Sequence, residues 1–96
     1  MKPEWIVWHC SDSEWGDVSV IDGWHRHRGW NGVGYHGVIC NGILKPDKLY
    51  DAEIDGVFQM GRYFGDDRVV QGAHVAGMND KALGFCLIGT TTFTDK

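Results

Sequence analysis

The stretch Trp5-Ile6-Val7-Trp8-His9-Cys10-Ser11-Asp12-Ser13 sets four apolar residues ahead of a lone histidine and then turns polar. Side chains along a strand alternate between its two faces, so an unbroken apolar run reads as a strand covered on both sides. Leu83 to Ile88 repeats the pattern, with Leu83, Phe85 and Leu87 on one face and Cys86 and Ile88 on the other. Two such strands near opposite ends of the chain predict a sheet at the centre of an α/β fold. His9, closing the first run, would be an ordinary loop hydrogen-bonder unless the chain supplies it with partners.

Between these strands the pattern is mixed. Ser11 to Asp17 is a polar loop, and Ser19-Val20-Ile21-Asp22 matches a capping box that starts a short helix. Ile21, Trp24, His25 and Arg28 follow at helical spacing, and Gly29 supplies the stop. Gly23 weakens this helix, so tertiary packing must hold it. Val33 to Cys40 reads as a second strand, with Tyr35, Gly37 and Ile39 on one face and His36, Val38 and Cys40 on the other. Asn41 to Asp55 is a loop carrying Pro46, and Gly65 to Asp67 is a turn. Gly56 to Arg62 and Val69 to Val75 are weaker strand candidates. No linker or repeat divides the chain, so residues 1–96 are expected to form one domain.

Bulk properties exclude several classes. A net charge of −4 argues against a nucleic-acid partner, which would need a basic face. No 18-residue apolar span exists to cross a membrane. Glu4 interrupts what would be a signal sequence, and Cys10, Cys40 and Cys86 are odd in number without CxxC spacing. Both features predict a cytoplasmic protein with reduced thiols.

The series IVWHCSDS, WHRHRGW, GVGYHGVI, GR, GAHVAGMN and ALGFCLIG, in that order, resembles the type 2 N-acetylmuramoyl-L-alanine amidases, a group that includes phage lysozyme-type amidases and the peptidoglycan recognition protein fold. The resemblance covers nearly the whole chain, except for the loop from Asn41 to Gly56. It implies a central mixed sheet of about five strands with one N-terminal helix on one face, and a peptidoglycan-directed zinc hydrolase of the muramoyl-L-alanine amide bond. It further implies a phage-encoded protein, with His9 as a zinc ligand and Tyr35 as the catalytic residue beside the zinc-bound water. His74 and Asn79 match the family's substrate-groove segment. The family takes its other zinc ligands, and a lysine, from a C-terminal tail with helices; here a matching Phe93-Thr94 pair is followed only by Asp95 and Lys96. The resemblance therefore implies a truncated domain with zinc weakly bound or absent, and no activity in this chain alone.

Internal residues offer little rescue. His25 and His27 stand two apart on a helix and point to different faces, so both are assigned to a solvated surface. Cys86 in an apolar strand is expected to be a neutral buried thiol. Trp24 and Trp30 are expected to pack the helix on the sheet, although Trp30 with Arg26 and Arg28 could also stack on a planar or anionic ligand. A non-catalytic derivative that sequesters a muropeptide or small anionic signal, as in phage counter-defence, therefore stands beside the amidase reading. In either case an uncovered sheet face predicts a homo-oligomer.

Overall fold

The computed structural model describes residues 2–90. Phe93 and Thr94, expected to begin a further helix, lie outside the described residues.

Four strands and one helix follow the order β1 (Trp5–Cys10), α1 (Val18–His27), β2 (Gly37–Ile39), β3 (Phe58–Met60) and β4 (Ala82–Leu87). They form one sheet in the order β1-β4-β2-β3. β4 runs parallel to both β1 and β2, and β3 pairs antiparallel to β2 at the far edge. The α/β class and mixed sheet agree with expectation, but the strands number four, not about five.

The missing pairing has a local cause. Within Val33 to Cys40 only Gly37–Ile39 forms a strand, because Gly34 N–H donates to the His25 ring and Gly34 C=O accepts from Ala73 N–H. Val69 to Val75 contributes only a bridge between Val69 and Phe64, which closes the turn around Gly65 to Asp67. His74 N–H and Val75 N–H donate to the Asn79 side chain, leaving that segment no ladder to join.

α1 starts earlier than the Ser19 capping box predicts. Asp17 is the N-cap, its carboxylate accepting from Val20 N–H at 2.9 Å. The predicted stop at Gly29 is present: Gly29 adopts φ 89°, Gly29 N–H donates to Arg26 C=O, and Trp30 N–H donates to His25 C=O. This double closure needs a left-handed residue, which glycine provides without strain.

Register divides the sheet into two unlike faces. Ile21 of α1 packs with Val33, Val38, Cys86 and Ile88, and Val18 and Tyr35 close the edge of this small core. On the opposite face, Ile6 and Trp8 of β1 stand beside Leu83 and Phe85 of β4, with Phe58 and Met60 on β3. Ile6, Trp8, Phe58 and Met60 are all exposed. The expectation that β1 is covered on both faces is therefore corrected. β1 is an edge strand with one neighbour, and among the described residues no element lies over its second face.

Candidate functional site

His9, near the end of β1, shares the helix-side face with Cys86 and Gly84 of β4. Gly84 has no side chain, and the His74 ring occupies that space: a Cβ on Gly84 would stand 2.5 Å from His74 Cγ and Nδ1. Asn79 holds the loop that delivers His74, its Oδ1 accepting from both His74 N–H and Val75 N–H. His74 Nε2 lies 3.1 Å from Ala82 C=O and must donate to it, so Nδ1 is left as an acceptor. His9 Nε2, 2.9 Å from that Nδ1, supplies the proton. Both histidines have pKa values below the ordinary range. Burial is the main cause for each, and the neighbouring His74 adds to the effect on His9.

Tyr35 completes the cluster, its ring 5.2 Å from His9 and 5.4 Å from His25. Its hydroxyl and the Cys86 thiol act on each other's ionisation. Burial pushes Tyr35 up to about 12, helped by Cys86, so the phenol stays protonated near neutral pH. Burial likewise pushes Cys86 up to about 12, which makes it the neutral thiol expected from its apolar strand.

Two assignments on α1 are corrected. His25 is buried, because its Nδ1 is needed to accept Gly34 N–H at 2.8 Å, whereas His27 is exposed as expected. Trp24 and Trp30 do not wedge the helix onto the sheet. Trp24 meets Trp15 edge-on at 5.6 Å, and Trp30 lies against His25 at 4.5 Å. Arg26 is bound to Asp22 at 2.7 Å, whose other oxygen accepts Val33 N–H. Arg28 instead stacks over Trp30 at 5.7 Å.

His36 was missed as a structural element. It is fully buried, its Nδ1 accepting Gly84 N–H and its Nε2 donating to Val70 C=O at 2.7 Å. It thereby ties the loop before His74 to β4. The alternation of Val33 to Cys40 gives its face but not these partners.

Comparison with known proteins gives relatives for the chain and for its fold. The chain is 34% identical over 89 residues to the endolysin of Enterobacteria phage T3, covering 90% of this chain and 48% of that protein. It is 36% identical to the endolysin of Klebsiella phage KP32, covering 88% and 46%. Among solved structures, N-acetylmuramoyl-L-alanine amidase LysC from Clostridium intestinale URNW superposes with a TM-score of 0.66 at 28% identity, covering 93% of this chain and 48% of that one. The chain is a relative of the phage endolysins and the N-acetylmuramoyl-L-alanine amidases. It spans about half the length of the relatives it matches. No family model matches.

For this amidase relative the zinc question can be put to the donors themselves. A catalytic zinc takes three protein ligands and one open position. His9 and His74 approach each other, but their facing nitrogens share one proton, and Cys86 is held neutral. Among the described residues no three His, Cys, Asp or Glu side chains gather closely enough to hold a metal ion. Residues 2–90 by themselves do not build a three-ligand zinc centre. Nor, among them, is any helix long and apolar enough to cross a membrane.

Proposed function

We propose that this chain is a peptidoglycan-directed N-acetylmuramoyl-L-alanine amidase domain that binds muramoyl-peptide through the His9, Tyr35 and His74 face and does not hydrolyse it as a 96-residue chain. The observation that carries the reading is the convergence of His9 and Tyr35, ring centroids 5.2 Å apart, on a fold shared with amidases. The two residues come from distant parts of the sequence. Tyr35 keeps its proton and can donate it as a hydrogen bond to an oxygen that gains charge when the amide is attacked. His9 retains Nδ1 as its unprotonated nitrogen when Nε2 donates to His74.

Inactivity follows from the donor set. The resemblance assigns the remaining zinc ligands to a C-terminal segment, and residues 2–90 offer no substitute set. The test combines three measurements on the purified chain: zinc content, release of peptide from peptidoglycan, and binding of a soluble muramoyl-peptide. Expected are substoichiometric zinc, no hydrolysis and measurable binding. Stoichiometric zinc with hydrolysis would overturn the inactivity, and absence of binding would overturn the peptidoglycan assignment.

The open sheet face supports self-association. β1 and β4 with six residues each and β2 and β3 with three, at ~3.3 Å per residue and ~4.8 Å between strands, make a face of roughly 300 Å², partly covered where Phe64 packs on Phe58 and Phe85. Ile6, Trp8, Phe58 and Met60 place no charge on it. A second copy, offering the same uncharged face, is its assigned occupant.

A further inference from the structure

Beside the His9 and Tyr35 cluster lies a small cleft of ≈ 70 Å³ lined by Ser11, Ile21, Trp24, His25, Arg28 and Tyr35. No carboxylate lines it, although the chain as a whole is acidic. Two kinds of hydrogen-bond donor face this space. Nδ1 of His25 accepts Gly34 N–H, so the neutral ring carries its proton on Nε2. Nε2 has no partner among the described residues, and no buried side-chain nitrogen there goes unpartnered, so this N–H opens to solvent.

Arg28 is the second donor. Arg26 is committed to Asp22 and Arg62 to the carbonyls of Val33 and Gln71, while Arg68 lies over the Tyr63 ring and does not line this cleft. The Arg28 guanidinium forms no ion pair among the described residues, and it lies over the Trp30 ring, 5.7 Å from its centroid. Its field reaches both His25 and Tyr35. The planar fork of N–H donors on a guanidinium matches the two oxygens of a carboxylate.

We propose that Arg28, with His25 Nε2–H, forms a carboxylate subsite next to Tyr35 that reads a free carboxylate on the peptide side of the substrate. The proposal rests on the peptidoglycan reading above and adds its substrate preference: acidic stem peptides over those whose carboxylates are amidated. A charge-assisted bidentate contact is worth about ten- to a hundredfold in affinity.

Calorimetric titration of the full chain with one muramoyl-peptide, in its free-acid and its amidated form, tests this. The free acid should bind at least about tenfold more tightly. Arg28→Ala should bring its affinity down to that of the amidated form, and Arg28→Lys should restore only part, because an ammonium lacks the fork. Arg68→Ala, with its guanidinium over Tyr63, should leave both affinities unchanged. Unaltered thermal melting of Arg28→Ala separates a lost contact from a lost fold. Equal binding of the two forms, or an Arg28→Ala chain that keeps the preference, overturns the subsite alone. Failure of both forms to bind overturns the peptidoglycan reading and the subsite with it.

Discussion

At the scale of single residues, the site depends on one absent side chain. Gly84 leaves room for the His74 ring, and a methyl group there would meet it at 2.5 Å. Gly84→Ala should therefore displace His74 and cost about 1–3 kcal/mol of stability, as overpacking typically does. Urea unfolding gives the cost, and imidazole NMR signals of His9 and His74 should shift together; signals that stay put would show that the ring is not seated on Gly84. Tyr35 answers a different test. In a fusion of this chain to the C-terminal segment of an active relative, Tyr35→Phe should lower turnover by roughly 10²-fold if the hydroxyl stabilises the oxyanion. Full activity in that variant would reduce Tyr35 to a packing residue. His9 and Tyr35 were legible because each lies in a motif. His25 was not, because its partner is a backbone N–H nine residues away and no residue type marks that need.

At the scale of the element, α1 shows how a correct pattern can be anchored at the wrong residue. Ser19-Val20-Ile21-Asp22 has capping-box spacing, yet Asp22 is engaged with Arg26 and Val33 N–H, and Asp17 caps the helix instead. Asp17→Ala should cost about 1 kcal/mol, whereas Ser19→Ala should stay within about 0.5 kcal/mol. Equal losses in chemical denaturation would restore Ser19 as a capping residue. The stop at Gly29 was legible because left-handed closure demands a particular residue type. The ends of β2 were not, since Val33 to His36 alternates as a strand would while its backbone groups bond to His25, Ala73 and Gly84. Periodicity reports which side chains are buried; it does not say which carbonyl takes each N–H.

For the whole molecule, the four imidazoles whose pKa values burial lowers, His9, His25, His36 and His74, set the pH response. His25 and His36 both have lowered pKa values, burial being the main cause; Arg28 and Arg62 add to it at His25, and His74 and Arg62 at His36. Each must be neutral to accept its backbone N–H through Nδ1. The unfolded chain takes up protons first as pH falls below the ordinary value of 6.5. Stability is therefore fully present above that value and declines below it, until the folded protein is protonated too. Melting temperatures from pH 8 to pH 5 should fall on the acid side; a flat profile would mean that these rings titrate alike in the folded and unfolded chain. Light scattering at micromolar concentration addresses the open face, where self-association is expected and where Trp8→Glu should abolish it. A wild-type chain that scatters as a monomer would remove the second copy from that face. The α/β class and the strands β1 and β4 were legible in the two apolar runs, but the runs did not reveal that β1 lies at an edge.

The pairing of β1 with β4 also orders events in time. Trp5 lies opposite Ala82 and Cys10 opposite Leu87, and β4 is the strand that separates β1 from β2. During synthesis β1 emerges well before its partner β4 and stays unpaired until Ala82 to Leu87 have followed. Before β4 arrives, only the local β2–β3 pairing can form. Joining sequence-distant parallel strands is slow because loop closure precedes any gain in contacts. The nascent chain thus carries an unpaired Trp-Ile-Val-Trp segment until β4 has been made, and the sheet closes late relative to the synthesis of β1. Yield should then depend on chaperone supply and growth temperature more steeply than the stability of the finished fold would suggest.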